Sequence, residues 1–266
     1  MSYLTPLRSD LKLSILLSLL EGKKKLADLG KETKTRETTI LHVLKELEQL
    51  ELTTKSGGVY QLTTLGILET QICRGSYQSF EVLKKYKEFW LTHDVDGIPP
   101  TLMMKIGDLG NSELVKSTST ALQKVHETFI EMLLSSRVIA GVSPIFHLDF
   151  MNVILGVLSQ GGNVILIVNT EVLEEIKKRD QQGEYTSKYI DDGSLQIYLN
   201  NNIRVALTVT EKTWSFGLFN ATSGEYDYTT DLIGHGEEGL EWGNQLFKKV
   251  LAESTKMGQL QQKLDS

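Results

Sequence analysis

The chain has 266 residues, of which 40% are hydrophobic and 23% are charged, and its formal net charge is −6. This is the composition of a globular protein long enough for two domains. The single cysteine, Cys73, excludes an intrachain disulfide framework and a multi-cysteine zinc cluster. No apolar run reaches the roughly 20 residues of a transmembrane helix, and the N-terminus lacks a secretory signal pattern. We therefore expect a cytoplasmic protein with no membrane partner.

The charge is unevenly distributed along the chain. Residues 1–75 contain 11 Lys and Arg against 9 Asp and Glu, a balance of +2. Residues 76–266 contain 17 against 25, a balance of −8. Because exposed charges are screened beyond about 8 Å at physiological salt, a basic surface in the first segment can contact phosphates despite the negative total. The acidic remainder argues against DNA wrapping around the whole chain.

The first part of the chain has the element order of a winged helix-turn-helix. An apolar helix is predicted to start at the capping pair Ser9-Asp10 and to stop at Gly22, and a short helix follows at 26–33. In the next helix the apolar residues recur at three- and four-residue spacing, which places them on one face. These residues are Ile40, Val43, Leu44, Leu47 and Leu50. The opposite face is polar and basic, as in a DNA recognition helix, with Thr35 placed to cap it.

A hairpin wing is predicted directly after this helix. Two short β-prone segments, 52–54 and 59–62, bracket Ser56-Gly57-Gly58, whose glycines permit positive φ at the turn. Arg36 can donate two hydrogen bonds to guanine O6 and N7, whereas the lysines nearby are expected to contact phosphates, which position without specifying sequence. The predicted DNA-binding residues are Lys34, Thr35, Arg36, Thr38, Thr39, His42, Lys45, Lys55, Ser56 and Gly57. The run Lys23-Lys24-Lys25 could also touch the DNA backbone, although such runs usually just face solvent.

Helices are predicted to follow the wing. One opens at Thr63-Thr64 and a longer one runs from about Ser76 to Trp90, and helices in this position commonly pair domains or subunits. The adjacent prolines Pro99-Pro100 mark a linker. Two more helical stretches are predicted at 101–109 and 117–134.

Beyond residue 134 the pattern changes to alternating strands and helices. Strands are predicted at 137–142 and 164–168, and the helices that follow them at 148–159 and 170–178. Such a β-α-β-α unit requires a parallel strand pair with a right-handed crossover. Three later β-prone segments are interpreted as antiparallel strands, at 195–199, 203–210 and 213–219. A final helix is predicted from about 236 to 253, before a polar tail.

These elements predict an α+β protein. Residues 1–75 form a winged helix-turn-helix, and residues 76–134 form a helical linker that contributes to a homodimer. Residues 135–266 form an α/β domain with a mixed sheet, which senses a ligand or joins the dimer.

Catalytic and metal sites have little support in the sequence. Gly161-Gly162 precedes a strand, whereas a nucleotide-binding glycine loop joins a strand to a helix. The histidines lack metal-ligand spacing; they are His42, His93, His126, His147 and His235. We therefore expect no metal and no cofactor, and identify no catalytic residue.

A ligand site is expected where the parallel strands end, because ligands of open α/β sheets bind beyond the carboxyl ends of the strands. Those ends are Ser143-Pro144 and Asn169-Thr170, polar pairs that could hold an anionic group at a helix N-terminus. Alternatively, Ser143 and Thr170 merely cap the following helices. The candidate ligand-binding residues are Ser143, Asn169, Thr170, Asp227, His235 and Trp242, of which Trp242 is equally a candidate core residue.

Three segments carry a family resemblance. They are Arg36-Glu37-Thr38-Thr39-Ile40 with the wing from Ser56 to Thr63, Phe89 to Asp94 leading to Gly97-Ile98-Pro99, and Trp242-Gly243 before Leu246-Phe247. With these segments the chain resembles, over nearly its full length, an archaeal family of methanogenesis and filamentation regulators. The resemblance implies a dimer that binds double-stranded promoter DNA, a C-terminal domain of the phospholipase D-like type, and a small-molecule effector.

The chain lacks the His-x-Lys-x-x-x-x-Asp signature of phospholipase D chemistry, since Gly236-Glu237 follows His235. We therefore expect a sequence-specific transcription regulator that is not an enzyme. Two alternatives stay open. One is a degenerate phosphodiesterase that uses His235 with a neighbouring carboxylate, and the other is a winged-helix scaffold that binds protein instead of DNA.

Overall fold

The computed structural model describes residues 9–180 and 185–257. The N-terminal residues 1–8 and the polar tail beyond residue 257 therefore lie outside the described part of the chain. The protein is α+β, as predicted, and forms two compact units, residues 1–81 and 82–266. The three-part division proposed from the sequence stays a prediction.

The first unit is a winged helix-turn-helix. Its first three helices are α1 (Asp10–Leu20), α2 (Leu26–Thr33) and α3 (Glu37–Gln49). Its strands are β1 (Lys24–Lys25), β2 (Thr53–Ser56) and β3 (Val59–Leu62). They form an antiparallel sheet in the order β1-β3-β2. The Ser9 side chain accepts a hydrogen bond from the Lys12 amide, which confirms the predicted N-cap of α1.

The apolar face of α3 lies at the centre of this unit's core. Ile40, Leu44 and Leu47 are fully buried. They belong to one cluster with residues from the other elements, namely Ile15, Leu16, Leu19, Leu29, Leu52 and Tyr60. The three- and four-residue spacing of the apolar residues therefore predicted the buried face of α3 correctly.

The turns on either side of α3 differ in how well they were predicted. At the wing tip Gly57 and Gly58 have φ values of 58° and 80°, as a two-residue type I′ hairpin turn requires. The predicted capping by Thr35 is wrong, because α3 begins after Arg36 and the Thr35 hydroxyl donates to the Thr33 carbonyl at 3.0 Å. Lys34 adopts a left-handed conformation at the end of α2, which turns the Thr35 side chain back toward α2.

A single 22-residue helix, α4 (Thr64–Lys85), follows the wing, where the sequence predicted two helices. Gly75 does not interrupt it, because a lone glycine costs a helix only about 1 kcal/mol. Gly66 has a different role near the start of α4. A Cβ atom there would lie 1.9 Å from the Leu52 carbonyl oxygen, so only glycine allows the helix to approach this backbone.

The second unit is built around a mixed sheet, as predicted. Its strands are β4 (His93–Asp94), β5 (Ser112–Lys116), β6 (Val138–Ser143), β7 (Asn163–Val168), β8 (Leu195–Leu199), β9 (Val205–Thr210), β10 (Thr213–Asn220), β11 (Thr230–His235) and β12 (Thr255–Lys256). The order along the sheet is β12-β8-β7-β6-β9-β10-β11-β5, and β4 pairs with β10.

The helices of this unit lie between the strands in the sequence. They are α5 (Lys87–Thr92), α6 (Pro100–Met103), a 3-10 helix (Ile106–Gly110), α7 (Lys124–Leu134), α8 (Leu148–Ser159), α9 (Thr170–Arg179), α10 (Ser187–Asp191) and α11 (Glu237–Ala252). The stretch 101–109, predicted as one helix, is divided between α6 and the 3-10 helix. The helix predicted to begin at residue 117 begins at Lys124.

The parallel pair predicted from the β-α-β-α pattern is β6 and β7. The prediction that 195–199 is antiparallel to its sheet neighbours is only half right. This strand, β8, pairs parallel with β7 and antiparallel only with the short β12, because a second helical crossover returns the chain to the same end of the sheet. Strand β10 pairs antiparallel with both of its neighbours, β9 and β11.

Helices cover both faces of the sheet. On one face the core contains Met132 of α7 and Val157 of α8 together with the strand residues Ile139 and Val168. On the other face, neighbouring strand residues such as Val142 pack with the aromatic core around α11, which includes Trp214, Phe216 and Trp242. The alternation of side chains along each strand thus divides the sheet between two separate cores.

Candidate nucleic-acid interface and ligand cavity

The face of α3 opposite the core is open to solvent. Thr38, Thr39, His42 and Lys45 are all exposed. Arg36 is exposed as well and forms the N-cap of α3 without a side-chain capping bond. Within residues 9–180 and 185–257, Arg36 and Lys45 form no ion pair, so their charges remain free for an external anion.

Three acidic side chains of the same unit are paired with lysines other than those of the α3 face. Glu46 of α3 binds Lys12 at 2.6 Å, which lowers the pKa of Glu46. Lys24 lies 2.7 Å from Glu32 and 3.3 Å from Glu21. These pairings reduce the repulsion that an approaching phosphate meets. They also leave Lys24, in the middle of the lysine run, less available for contact with DNA.

The wing presents a further cation. Lys55, Ser56 and Gly57 are exposed at the tip of the hairpin, and the Lys55 ammonium lies 5.1 Å from the centroid of the Tyr60 ring. This contact restrains the side chain but leaves its charge accessible. Lys34 is exposed in the turn between α2 and α3, and Thr35 beside it is half-buried.

A cavity of about 410 Å³ lies in the second unit, between one face of the sheet and helices α7 and α8. Its walls are mainly apolar and include Phe129, Phe146, Ile154, Leu166 and Ile197. Pockets of this size and character are typical of small-molecule sites. The described residues that line it include no lysine or arginine.

One end of the cavity is polar, around Asp231 of β11. The Asp231 side chain is buried, and the Ser215 hydroxyl donates a hydrogen bond to its Oδ2 atom. Its Oδ1 atom is buried with no hydrogen-bond partner among the described residues. Burial raises the pKa of Asp231 to about 7, and the neighbouring charge of Asp227 acts in the same direction. This carboxyl is therefore poised between its neutral and ionised forms near pH 7.

Gly217 provides the space in which this polar end is assembled. A Cβ atom on Gly217 would lie 2.7 Å from the Tyr226 hydroxyl oxygen and 3.1 Å from Asp231 Oδ1. Burial, with the charges of Asp231 and Asp227, raises the pKa of Tyr226 well above its ordinary value. The Tyr226 hydroxyl and the Asp231 carboxyl therefore approach the same point, beside Gly217.

The ligand-binding residues predicted at the strand ends are separated by the structure. Ser143 lines the cavity, but its hydroxyl donates to the Ile145 carbonyl at 2.7 Å. Asn169 caps α9 by accepting from the Val172 amide at 2.8 Å, and the Thr170 hydroxyl donates to Asn201 at 2.9 Å. Both lie outside the cavity lining. The cap of α9 is thus Asn169, not Thr170 as the alternative interpretation had it.

The other three predicted ligand-binding residues also lie outside the lining. Asp227 pairs with His93, whose Nε2 is 3.1 Å from its Oδ2. His235 is exposed at the end of β11 and, among the described residues, pairs with no carboxylate. The Trp242 indole donates to the Leu102 carbonyl at 3.0 Å, within the core on the opposite face of the sheet.

The polar end of the cavity contains none of the residues predicted from the sequence to bind a ligand. Asp231 lies in a segment, Thr230–His235, that was not recognised as a strand. The available signal was an aspartate directly before the apolar pair Leu232-Ile233, since a charged side chain on a buried strand is unusual. Ser215, by contrast, is indistinguishable from other strand serines until β10 and β11 are paired.

Three groups with metal-ligand chemistry meet at another part of the cavity wall, although the sequence spacing gave no sign of it. Ligand atoms of His126, His147 and Asp149 lie within 4.8 Å of one another, and His126 Nε2 is 3.0 Å from Asp149 Oδ2. They could hold a divalent ion. However, His147 Nδ1 already accepts the Asp149 amide at 3.2 Å and caps α8, and the positive end of a helix disfavours a cation.

Within the described ranges, no helix is both long and apolar enough to span a membrane.

Two family models of the methanogenesis regulatory protein FilR1 match the chain. The model of the N-terminal domain matches residues 4–75, and the model of the middle domain matches residues 122–253. The chain belongs to the FilR1 family. The FilR1 N-terminal model covers the winged helix with its exposed α3 face, and the middle-domain model covers helices α7 to α11 and the polar end of the cavity.

A curated FilR1 protein, from Methanothrix harundinacea (strain 6Ac), is 28% identical to this chain over 257 residues. The match covers 90% of this chain and 54% of the relative. The chain thus spans about half the length of that FilR1 protein.

Among solved structures, the chain is similar to TrmBL2, described as an archaeal chromatin protein with a novel mode of DNA binding. That match has a TM-score of 0.44 and 14% identity, and covers 91% of this chain and 92% of TrmBL2. The phospholipase D family member Nuc from Salmonella typhimurium matches with a TM-score of 0.38 and 12% identity, over 55% of this chain and 96% of Nuc. TM-scores this low give no basis for transferring function.

Proposed function

We propose that this chain is a dimeric transcription regulator that binds promoter DNA through α3 and the wing and responds to a small molecule in the cavity of its second unit. The observation that carries the proposal is the free cationic face of α3. Arg36 and Lys45 are exposed and unpaired within the described residues, while Glu46 on the same helix is neutralised by Lys12.

The chemistry of this face suits the major groove of DNA. Arg36 can donate two parallel hydrogen bonds to guanine, and the threonines and His42 can contact base edges or phosphates. Lys34, Lys45 and Lys55 would neutralise phosphates on either side. The roles of these residues are proposed from their type and exposure.

A homodimer is supported by an apolar stripe on α4, which we define as Leu65, Leu68, Ile72, Phe80 and Leu83. All five side chains are exposed, Ile72 by 69% and Phe80 by 61%. Their spacings of three, four, eight and three residues place them along one side of the helix. An exposed apolar stripe of this kind is typical of a helix that pairs with a second copy. Two recognition helices would then contact half-sites about 34 to 36 Å apart.

The effector part of the proposal depends on the cavity. It has the volume of a small-molecule pocket and apolar walls with a polar group at one end. A ligand would regulate transcription if the dimer binds DNA with a different affinity when the cavity of the second unit is filled. The regulatory function of the FilR1 family is consistent with this division of roles.

The test begins with selection of a preferred duplex from a random DNA library by the full chain. Fluorescence anisotropy on that duplex then compares Arg36→Ala with Arg74→Ala, which removes the same charge from an exposed position on α4. We expect Arg36→Ala to lose about 1–3 kcal/mol of discrimination at one G·C pair, and Arg74→Ala to bind as the parent does.

Two outcomes would contradict the proposal. One is equal weakening by the two substitutions, which would remove the specific role of α3. The other is an affinity that stays flat between low and moderate salt, because contacts to phosphates release counterions and must weaken as salt rises. The protein-binding scaffold, the rival interpretation, predicts that no duplex is enriched.

A further inference from the structure

The unpartnered oxygen of Asp231 indicates what the cavity takes up. A buried polar atom without a hydrogen bond costs about 1–3 kcal/mol, and most such atoms in proteins have a partner. Asp231 Oδ1 has none among the described residues, although Ser215 satisfies the other oxygen of the same carboxyl. No described residue supplies the missing donor, and the cavity that Asp231 lines gives a donor from outside the chain access to this oxygen.

The electrostatics of the polar end favour a cationic donor. Asp227 lies close enough for its charge to act on both Asp231 and Tyr226, so two carboxyl groups share this region. The lining contains no lysine or arginine to balance them. An anionic head group would be repelled here, whereas a buried cation is tolerated only where a carboxylate pairs with it.

The remaining walls of the cavity determine which chemical groups the rest of the ligand can carry. Phe129, Phe146 and Phe150 contribute aromatic surface, and Ile154 and Leu166 contribute aliphatic surface. Apolar area buried against such walls contributes about 25 cal/mol per Å². The ligand is therefore amphiphilic, with most of its surface apolar.

We propose that the cavity binds an apolar organic amine whose ammonium group pairs with Asp231 and whose body packs against the phenylalanine and isoleucine walls. This inference rests on the proposed function, in which the cavity is the effector site, and it names the chemical class of the effector. Neither the head-group preference nor the role of Asp231 follows from membership of the FilR1 family.

Binding of an ammonium group beside Asp231 should release a proton. Since the pKa of Asp231 is about 7 in the free protein, an ammonium group that favours the ionised form displaces a proton when it binds below that pH. The titratable groups near Asp231 are Tyr226 and Asp227, and Tyr226 stays neutral because its pKa is raised. Elsewhere in the lining the titratable groups are His126, His147 and Asp149. Binding of a neutral alcohol would release no proton from Asp231.

The experiment uses three probes with one body: 3-phenylpropylamine, 3-phenylpropanol and 3-phenylpropanoate. Isothermal titration calorimetry with the full chain at pH 8 should give an affinity for the amine about tenfold or more above that for the alcohol, and no binding of the carboxylate. At pH 6, titrations in two buffers of different ionisation enthalpy should reveal proton release with the amine alone.

Three variants locate the interaction. Asp231→Asn should remove the preference for the amine over the alcohol, with folding checked by circular dichroism. Asp149→Asn is the matched control, because it makes the same change at another carboxyl of the lining, and it should keep the preference. Ile154→Trp should reduce the binding of the amine and the alcohol together, since it fills the apolar part of the cavity.

The outcomes separate this inference from the proposed function. Binding of the alcohol or the carboxylate in preference to the amine would overturn the amine class and leave the cavity as an effector site. Retention of the amine preference in Asp231→Asn, or its loss in Asp149→Asn, would overturn the role of Asp231. Absence of binding by all three probes would overturn the inference, while DNA recognition by Arg36 would be judged by its own measurement.

Discussion

Ser215 on β10 donates its hydroxyl hydrogen to Oδ2 of Asp231 on the adjacent strand β11, and leaves Oδ1 of the same carboxyl buried without a partner. The carboxyl is thus only half satisfied. Its surroundings stabilise the neutral form, and this makes the stability of the protein depend on pH in an unusual direction for an aspartate.

Replacement of Asp231 by asparagine tests this directly. The pKa of Asp231 is raised from 3.8 to about 7 by burial and by Asp227. A raised pKa contributes stability below the unfolded-state value of about 4, and this contribution is lost as pH rises to about 7. Asp231→Asn cannot ionise, so its stability relative to the parent should rise by about 2–3 kcal/mol between pH 5 and pH 8. Urea denaturation at the two pH values measures the difference.

Asp227 provides the contrast for that measurement. Although burial raises its pKa, hydrogen bonds from Thr229, Thr230 and His93 outweigh burial, and the net pKa is lowered. Its contribution to stability is therefore present above the unfolded-state pKa and is lost as pH falls. Asp227→Asn should destabilise the protein at pH 7 and do so less in acid. The same pH trend in both variants would refute this account of the two carboxyls.

Two glycines on α4 should respond oppositely to alanine. At Gly66 a Cβ atom would lie 1.9 Å from the Leu52 carbonyl oxygen, whereas at Gly75 nothing lies within 4 Å. We expect Gly66→Ala to destabilise the protein by about 3 kcal/mol, because backbone must shift to relieve the clash. Gly75→Ala should stabilise the helix by about 0.5–1 kcal/mol. Thermal unfolding followed by circular dichroism gives both values, and a stable Gly66→Ala protein would show that the contact is not tight.

The apolar stripe on α4 makes a prediction about assembly. Ile72→Lys places a charge in the middle of the stripe, where Ile72 is 69% exposed in the single chain, and should convert the proposed dimer to a monomer. Gln78→Lys adds the same charge at an exposed position on another side of α4 and should leave the dimer intact. Light scattering after size-exclusion chromatography measures the mass. A parent protein that is already monomeric would exclude the stripe as a dimer interface.

The local sequence was sufficient to predict the winged helix. In α3, the spacing of Ile40, Leu44 and Leu47 defines a buried face whatever the rest of the chain does, because helix geometry alone relates them. The adjacent Gly57 and Gly58 determine the hairpin turn in the same local way. The prediction that Thr35 caps α3 was wrong for a reason that is also local. Thr35 has a hydroxyl suited to capping, but the left-handed conformation of Lys34 turns it toward Thr33.

The candidate effector site could not be predicted in this way. Asp231 and Ser215 are brought together by the pairing of β10 with β11, and the apolar walls come from helices and strands that lie elsewhere in the sequence. The predicted ligand-binding residues at the strand ends instead form hydrogen bonds with nearby backbone or side-chain groups of the chain. Asn169 caps α9, for example, because the amides of a first helical turn need an acceptor.

The sequence by itself determined the winged helix-turn-helix, the exposed polar face of α3 and the parallel pair of strands in the sheet. These features follow from periodicity and turn chemistry, which act over a few residues. Only the tertiary structure decided that Asp231 is buried beside a cavity with one oxygen unpaired. Burial is a property of all the elements packed around a residue, and no stretch of sequence near Asp231 contains them.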